Sequence, residues 1–422
     1  MPQGSAPVEG PLSGYRVLEM GSTVAGPFCG RLLADFGAEV IKVEPAGGDP
    51  VRTMGKRHHG KSLYAASIFR NKSLICVDLR EAGGQEAMRR LAAKCDVVVE
   101  NFRPGGLERW GLGYDDLSRV NPGLVMVRIS GFGQTGPYGQ RAGYGVIGEA
   151  VSGLRHITGD PDRPPSRVAV SLTDYITGLY GAFGATMALL ARGRTGRGQY
   201  IDTALYECAF SFMEPHIPAY DKLGVVAMRA GSRLPDSTPN NLFVSRDRQF
   251  IHITAMGDAT FRRLAGCMGS PGLADDERFR DARDRSSHHE ALDDIIAQWA
   301  GTLDLADLEA RLHEAGVPAT RIFTIADIFG DPHYRARGMI ARVPDEDLGD
   351  VAMAAPVPRL SATPGAIRHA GRRVGQDTRR VLHEVAGYTD AELDRLEVAG
   401  VILRDTGGAG EEAAAGERGG AA

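Results

Sequence analysis

Three short stretches of this sequence carry residue types that could do chemistry. Residues 55–62, GKRHHGKS, match the pattern G-x-x-x-x-G-K-[ST], in which backbone amides and a lysine hold the phosphates of a nucleotide. Residues 131–136, GFGQTG, match the dinucleotide-binding pattern G-x-G-x-x-G. Asp174 is the only acidic residue in the run 171–191, where a carboxylate near the start of an apolar helix could serve as a nucleophile. Which chemistry is possible depends on the elements that hold each stretch.

The chain between residues 16 and 132 alternates short apolar runs with amphipathic stretches. The apolar runs indicate buried strands; they are RVLEM, EVIKVE, LICVDL, VVVEN and LVMVRIS. Because amphipathic stretches separate them, the pattern predicts βαβ units and an α/β fold with a doubly wound parallel sheet. A helix from about Asp174 to Arg192 and a strand at 199–205 follow. A hairpin that turns at 245–248 starts a region of different texture.

The surroundings of the two glycine patterns do not favour nucleotide binding. No strand delivers the first loop, because PAGGDPVRTM precedes it, and its interior is bulky where amides must approach a phosphate. The second pattern follows a strand, but Pro137 and further glycines stand where a helix should begin. We interpret the first as a solvated basic loop and the second as a flexible turn. A P-loop or NAD-dependent enzyme stays an alternative.

Composition and charge exclude several other classes. The 49 Lys and Arg residues nearly balance the 53 Asp and Glu residues, giving a net charge of −4, which argues against nucleic acid or an anionic membrane as the main partner. The five cysteines are scattered, without a C-x-x-C pair, and neither His58–His59 nor His288–His289 has metal-ligand spacing. No signal peptide or membrane span is indicated. We therefore expect a cytoplasmic protein with no metal site.

The chain is long enough for two or three domains. The predicted organisation is a flexible N-terminus (1–10), the N-terminal part of a large domain (11–220), a linker (221–240), a small domain (241–335), a linker with a return to the large domain (336–402), and a disordered tail (403–422).

Several collinear segments resemble the class III CoA-transferases, the CaiB/BaiF family that includes formyl-CoA and carnitine CoA-transferases. They include PLSGYRVLEMGSTVAGPFCGRLLADFGAEVIKVEPAGGD, ENFRPGGLERWGLGYDDL, SLTDYITGLYGA and GVPATRIFTIADIFGDPHYRARGM. The likeness covers residues 11–402. It implies a large CoA-binding α/β domain built from both chain ends, an inserted smaller α+β domain, and a homodimer of two interlocked chains.

The resemblance also assigns roles to residues. Composition alone favours an ordinary N-cap or first-turn carboxylate for Asp174, but this residue matches the family's nucleophilic aspartate. The expected CoA-binding residues are Thr23, Val24, Ala25, Val77, Arg80, Asn101, Phe102, Arg109, Trp110 and Tyr144. Met256-Gly257-Asp258 is the nearest counterpart of a family loop that donates hydrogen bonds to oxyanions. Gly145 departs from the family, which commonly has an acidic residue there; Glu149 is a candidate substitute.

A second departure is Pro45, which stands where some family members have a basic residue that helps to bind a phosphate of CoA. The contacts to phosphate could then fall to Arg52, Arg70 or Arg103.

The implied function is transfer of CoA from an acyl-CoA, such as succinyl-CoA, to another carboxylic acid through acyl-aspartyl anhydride and aspartyl-CoA intermediates. CoA would be a substrate, and no permanently bound cofactor is expected. An α-methylacyl-CoA racemase of the same fold is an alternative, but it would use a histidine where this chain has Tyr144, whose phenol is a poor base at neutral pH. A CoA-binding relative without turnover is another alternative. The sequence does not identify the two acids.

Overall fold

The structure, a computed structural model, describes residues 10–405. The remainder of the predicted flexible N-terminus and of the predicted disordered tail lies outside these residues. Strands within the described range are β1 (Arg16–Glu19), β2 (Glu39–Glu44), β3 (Arg57–His58), β4 (Lys61–Ser62), β5 (Lys72–Val77), β6 (Val97–Glu100), β7 (Val125–Ser130), β8 (Tyr200–Ala204), β9 (Asn240–Val244), β10 (Phe250–Thr254), β11 (Ala319–Arg321), β12 (Ile340–Asp345), β13 (Gly349–Ala354) and β14 (Ile402–Leu403).

Helices in the same range are α1 (Ala25–Asp35), α2 (Leu63–Ile68), α3 (Ala82–Ala92), α4 (Tyr114–Val120), α5 (Gly145–Val151), α6 (Leu172–Thr195), α7 (Leu205–Phe210), α8 (His216–Leu223), α9 (Asp258–Cys267), α10 (Ala282–Ser287), α11 (His289–Ala300), α12 (Leu305–Glu314), α13 (Ile325–Gly330), α14 (Pro332–Ala336), α15 (Thr378–Glu384) and α16 (Asp390–Val398). None of these helices combines the length and the apolar character that crossing a bilayer requires.

Contacts divide the chain into two compact units. The larger unit comprises the described residues up to Leu154, then Val168–Ile217, and the residues from Ala336 onward; the smaller comprises Arg155–Arg167 and Pro218–Arg335.

The larger unit contains a seven-stranded sheet in the order β14-β5-β2-β1-β6-β7-β8. All neighbouring pairs are parallel except β14 and β5, which are antiparallel. Starting from β1, the chain adds β2 and β5 on one side and then β6, β7 and β8 on the other. This is the strand order of doubly wound dinucleotide-binding folds. The predicted α/β fold with a large parallel sheet is confirmed.

Alternating side chains of the central strands are buried on both faces of the sheet. Leu18, Ile41 and Val98 belong to the core that also contains residues of α3, α4, α15 and α16. Val17 and Val40 belong to a second core with residues of α1 and α6. Burial on both faces explains why these strands are nearly continuous runs of Val, Ile and Leu.

The smaller unit is built around the antiparallel sheet β11-β10-β9. The predicted hairpin is present: β9 pairs with β10, and the Ser245 amide donates to the Gln249 carbonyl across the turn at 3.0 Å. Helices α9, α11 and α12 pack on the sheet through Phe261, Ile296 and Leu308.

The GKRHHGKS stretch forms a small hairpin, β3–β4. Its turn is His59-Gly60, with φ of 47° and 78°, and two positive φ angles are what a two-residue hairpin turn requires. No strand of the large sheet enters it, and α2 behind it has six residues, capped by the Ser62 hydroxyl, which accepts from the Ala65 amide at 3.2 Å. A phosphate loop is therefore not formed.

The interpretation of this stretch as a solvated basic loop is wrong at its last two residues, Lys61 and Ser62, which are both buried. Residues 55–60 are exposed, but Lys61 is buried, and its Nζ lies 2.7 Å from the Asp345 carboxylate and 3.2 Å from that of Asp347. The lysine of the pattern thus joins the β3–β4 hairpin to the turn between β12 and β13.

The GFGQTG stretch is a turn, as the sequence indicated. It follows β7, and the Gly133 amide donates to the Ser130 hydroxyl at 2.9 Å, while the Gln134 amide donates to the Asp202 carboxylate at 2.9 Å. The next helix, α5, begins only at Gly145. No helix start is placed to receive a pyrophosphate from this turn.

Candidate active site

The sheet order places the ends of β1 and β6 side by side in the large unit. The strand order reverses there, and doubly wound sheets bind ligands in the crevice beyond the carboxyl ends of such strands. Gly21, Ser22 and Thr23 follow β1, while Asn101 and Phe102 follow β6. Sequence and topology together therefore bring two of the predicted CoA-binding segments to one crevice.

Asn101 joins the two segments directly. Its Oδ1 accepts from the Ser22 amide at 2.8 Å, and its Nδ2 donates to the Ser22 carbonyl at 2.8 Å. Both polar atoms of the side chain amide are thereby used to fix the backbone after β1. Asn101 acts here as a brace between loops.

Buried charged side chains fix the residues within and on either side of the same turn. Lys42 Nζ lies 2.9 Å from the Asp49 carboxylate and donates to the Gly21 carbonyl at 2.5 Å. Lys72 Nζ donates to Glu19 at 2.6 Å and to the Pro27 carbonyl at 2.7 Å. Sequence reasoning missed these residues because each is a single charge inside or beside an apolar strand. Charged residues within otherwise apolar strands were the available signal.

Asp49 fixes an unusual backbone conformation at Thr23. Thr23 has a φ of 68°, in the left-handed region that non-glycine residues seldom adopt. Its amide donates to both Asp49 carboxylate oxygens, at 3.0 and 3.2 Å. Such conformations persist only where the surroundings determine them, and they concentrate at functional sites. Val24 and Ala25, both buried, then start helix α1.

Asp174 lies in the first turn of α6, close to the start of α1. The N-cap residue is Ser171, so Asp174 is a first-turn carboxylate and not the N-cap. Helix α6 crosses α1 at Gly178, where an added Cβ would lie 2.7 Å from the Ala25 carbonyl oxygen. This close approach puts Asp174, one turn earlier, beside the turn that follows β1.

Gly145 makes room for the Asp174 carboxylate. A Cβ added at Gly145 would lie 2.0 Å from Asp174 Oδ2 and 2.8 Å from its Cγ. The acid that the family commonly has at this position could not be accommodated here without moving Asp174. Glu149, the candidate substitute, is buried in α5.

Two tyrosines lie near Asp174. The hydroxyls of Tyr64 and Tyr175 are hydrogen-bonded at 2.8 Å, and both rings pack against the cluster that contains Val24. Burial raises the pKa of Tyr64 well above its ordinary value, the bond to Tyr175 adds to the shift, and the Asp174 charge raises the pKa further. Tyr64 is therefore a neutral hydroxyl near the carboxylate.

The remaining predicted CoA-binding residues fall into two groups. Val77, Phe102 and Trp110 contribute to one apolar region, and the Phe102 and Trp110 rings meet edge to face at 5.5 Å. Arg80, Arg109 and Tyr144 are exposed. Arg80 is 83% exposed and lies 2.6 Å from the Asp78 carboxylate.

Two of the arginines suggested as substitute phosphate contacts are bound to internal carboxylates. Arg52 lies 2.6 Å from Glu44, and Arg70 is fully buried 2.5 Å from Asp35. Arg103 is exposed. Across residues 10–405, no group of three or more His, Cys, Asp and Glu side chains could hold a metal ion.

The segment from Phe102 to Trp110 is anchored by a buried carboxylate. Glu100 accepts from Arg128 Nε at 2.9 Å and from the Phe102 amide at 2.8 Å, and Arg128 also contacts Glu108 at 2.7 Å. Burial raises the pKa of Glu100 from 4.5 to about 7, although pairing with Arg128 opposes this.

This shift predicts a pH-dependent stability. The folded pKa lies above the unfolded value, so the contribution of Glu100 is fully present below about pH 4.5 and is lost as pH rises through about 7. Between about pH 5 and pH 8, the free energy of unfolding of the wild-type protein should fall by about 2–3 kcal/mol more than that of Glu100→Gln. Urea denaturation of both proteins across this range measures the difference. Parallel curves would contradict the assignment.

In the smaller unit, the Met256-Gly257-Asp258 segment is held by a buried arginine. Arg285 donates to the Met256 carbonyl at 2.7 Å and to the Asp258 carboxylate at 2.7 Å, and its guanidinium stacks on Phe261. Gly257 is the N-cap residue of α9.

The chain is similar in sequence to known CoA-transferases and in fold to a CaiB/BaiF family protein. The sequence profile of CoA-transferase family III matches residues 12–378. A succinyl-CoA–D-citramalate CoA-transferase from Chloroflexus aurantiacus is 47% identical over 394 residues, covering 93% of this chain and 98% of that protein. The beta subunit of a succinyl-CoA–L-malate CoA-transferase from the same organism is 41% identical over 397 residues, covering 93% and 98%. The crystal structure of a CaiB/BaiF family protein from Brucella suis superposes with a TM-score of 0.80 at 35% identity, covering 89% of this chain and all of that one.

Proposed function

The chain belongs to CoA-transferase family III, and we propose that it transfers CoA from succinyl-CoA to a second dicarboxylic acid through covalent intermediates on Asp174. CoA-transferase activity follows from the family and from relatives of this identity. The covalent route and the choice of acids are the proposed part. One observation carries the proposal: a first-turn carboxylate lies beside the turn after β1, against a glycine that leaves it room.

In the first half-reaction, an Asp174 oxygen attacks the thioester carbonyl of the acyl-CoA. The C–S bond breaks, CoA leaves as a thiolate, and an acyl-aspartyl anhydride remains. The thiolate then attacks Asp174 Cγ in this anhydride, the bond from Cγ to the bridging oxygen breaks, and the donor acid leaves as a carboxylate that keeps this oxygen. Asp174 is now a thioester of CoA.

The second half-reaction reverses these steps with a different acid. The acceptor carboxylate attacks the aspartyl thioester and expels the thiolate, which then attacks the acyl carbonyl of the new anhydride. The new acyl-CoA leaves and the Asp174 carboxylate is restored. No proton changes hands and the thioester is exchanged for another, so no ATP is needed. CoA is a substrate in this scheme, not a resident cofactor.

The turn after β1 and the segment after β6 are the proposed CoA-binding elements. Thr23, Val24 and Ala25 present backbone at the start of α1, where an anion is favoured by the helix dipole. Phe102 and Trp110 offer an apolar surface suited to an adenine ring, and Arg109 offers an exposed guanidinium for phosphate. Val77, Arg80, Asn101 and Tyr144 complete the proposed set. For Arg80, phosphate would replace its present partner Asp78.

The relatives guide the choice of acids. The names of both Chloroflexus proteins specify succinyl-CoA as donor and a hydroxylated dicarboxylic acid as acceptor, citramalate or malate. We propose the same classes for this chain. Tyr144 disfavours the racemase alternative, since it stands where that chemistry uses a histidine.

We further propose that the smaller unit is the inserted domain and that Met256-Gly257-Asp258 supplies oxyanion donors. A homodimer of interlocked chains is also proposed. It is supported by an exposed apolar stripe along α6, formed by Leu179, Phe183, Met187 and Leu190, which are 45–64% exposed. The cytoplasmic location stays a prediction from sequence.

The function is tested by incubating the protein with succinyl-CoA and a panel of carboxylic acids, with mass spectrometry of the acyl-CoA products. We expect new acyl-CoAs from malate, citramalate or other dicarboxylates, without ATP or NAD. Absence of any new acyl-CoA, or a requirement for a nucleotide, would contradict the proposal.

A further inference from the structure

Arg31 is a buried cation with an incomplete set of partners. It lies on α1 in the large unit, its side chain is 17% exposed, and its guanidinium stacks on Phe28 at 4.6 Å. The buried Nε has no hydrogen-bond partner among residues 10–405. Its nearest carboxylate oxygen, Asp35 Oδ2, is 3.6 Å away, which is too far for a hydrogen bond.

The Asp35 carboxylate already accepts hydrogen bonds from other side chains. Arg70 donates to its two oxygens at 2.9 and 2.5 Å, and the Asn71 amide donates to Oδ1 at 2.9 Å. Arg368 lies beside the same carboxylate and donates to the Ala34 carbonyl at 3.1 Å. Three guanidinium groups therefore surround one carboxylate.

This excess of positive charge is unfavourable without a further anion. Burial, with repulsion from Arg70, lowers the pKa of Arg31 to about 10, so the side chain is still charged at neutral pH. A buried charge that is incompletely paired costs free energy, and a carboxylate is the partner that a guanidinium fork fits best.

A series of aromatic contacts connects Arg31 with the residue that follows Asp174. Helical side chains lean toward the N-terminus of their helix, so Arg31 lies over Phe28, one turn earlier. The Phe28 ring meets Tyr175 edge to face at 4.7 Å, and Tyr175 follows Asp174 in α6. Tyr64, bonded to Tyr175, is within the field of both charges: Asp174 raises its pKa and Arg31 lowers it, although burial is the larger cause of its shift.

We propose that Arg31 binds the second carboxylate of a dicarboxylic substrate whose first carboxyl group reacts at Asp174. The Tyr64 hydroxyl, which is within the field of both Arg31 and Asp174, and the Tyr175 hydroxyl bonded to it would line the path of the carbon chain. Arg31 thereby selects dicarboxylic over monocarboxylic acids, because only the former complete its ion pair. This inference rests on the proposed role of Asp174 as nucleophile.

The test compares acids that differ only at the distal group. Isotopically labelled succinate is compared with butyrate, and glutarate with valerate, by kcat/KM for the acceptor. The label is needed because unlabelled succinate would only regenerate the donor succinyl-CoA; in a double-displacement scheme this constant does not depend on the donor. The wild-type protein should prefer each dicarboxylate by about 100-fold, the scale expected for a charge-assisted contact that the analogue cannot make.

Arg31→Gln should remove most of this preference by lowering kcat/KM for the dicarboxylates while leaving that for butyrate and valerate within a few-fold. Arg31→Lys should restore part of it. The matched control is Arg119→Gln on α4, an arginine 72% exposed and paired with Asp116, which should leave the preference unchanged.

Two results would overturn the inference. One is a wild-type protein that uses butyrate as well as succinate, a comparison that requires no variant to fold. The other is an Arg31→Gln or Arg31→Lys protein, folded by its melting temperature, that loses activity equally with both classes, which would make Arg31 a structural residue. Transfer without dicarboxylate preference contradicts this inference and the proposed choice of acids but not CoA transfer on Asp174, whereas no transfer to any acid contradicts the proposed function as a whole.

Discussion

Asp174→Asn should abolish CoA transfer, lowering kcat by about 10⁴-fold or more, the scale on which removal of a nucleophile acts in enzymes with covalent intermediates. The asparagine side chain keeps the shape of the carboxylate but has no anionic oxygen to attack the thioester. Because Gly145 leaves room for the Asp174 oxygens, the similar-sized amide should fit the same space. Initial rates of succinyl-CoA consumption in the presence of an acceptor acid measure the effect.

Folding must be separated from chemistry in this variant. Asp174 is also a first-turn acid, whose interaction with the helix dipole contributes about 0.3–1 kcal/mol. Asp115 is an exposed aspartate that, like Asp174, lies in the first turn of its helix, here α4. Asp115→Asn is therefore the matched control. Both variants should lose similar, small amounts of stability, and only Asp174→Asn should lose activity. If Asp174→Asn retains transfer above about a tenth of the wild-type rate, the nucleophile assignment is wrong.

Gly145→Ala should lower kcat by about 100-fold, since a displacement of about 1 Å in a reacting group has an effect of this size. The new methyl group would lie 2.0 Å from Asp174 Oδ2, so the carboxylate must rotate away or the start of α5 must shift. The KM for acyl-CoA should change less, because the proposed CoA-binding residues after β1 and β6 are not touched. Steady-state kinetics with succinyl-CoA distinguish the two parameters.

Gly193→Ala is the matched control for this substitution. Gly193 also lies in a helix, near the end of α6, and a Cβ there meets no atom within 4 Å. Alanine is the better helix former by about 1 kcal/mol, so the control should be as stable as wild type or more so, with unchanged kcat. Equal kinetics for the two variants would show that Gly145 does not determine the position of Asp174.

The sequence was sufficient to predict the sheet because its strands are buried on both faces. EVIKVE predicted β2 to the residue, and the other runs, with one exception, were placed within one residue at each end. The exception, β5, begins at Lys72 and not at Leu74, because Lys72 is buried by pairing with Glu19, which an apolar pattern cannot reveal. A charge inside a strand looks like a boundary until its partner is known.

The candidate site depended more on the resemblance than on local pattern. Asp174 has the composition of an ordinary helix start, and only the collinear family segments indicated a nucleophile. The reason for Gly145 could not be read from the chain, since its contact with Asp174 joins residues 29 positions apart. Lys61 and Asp345 are 284 positions apart, so the burial of Lys61 could not be predicted from the sequence either. Contacts of this kind are properties of the fold.

Asn101 was expected to bind CoA, but its role in fixing the turn after β1, and the contribution of the buried charges to that turn, were missed for the same reason. Lys42, Asp49 and Asn101 come from three different segments and meet only when β1, β2 and β6 are aligned. Lys42 and Asp49 contact each other as well as backbone atoms, and for Lys42 the signal in the sequence was a charge within an otherwise apolar strand.

The covalent step on Asp174 is tested most directly by trapping it. The protein is incubated with succinyl-CoA, treated with hydroxylamine, digested and analysed by mass spectrometry. The account predicts an aspartyl hydroxamate confined to the peptide that contains Asp174, formed only with acyl-CoA and absent from Asp174→Asn. A hydroxamate at a different residue, or turnover at the full rate with no hydroxamate at Asp174, would contradict it.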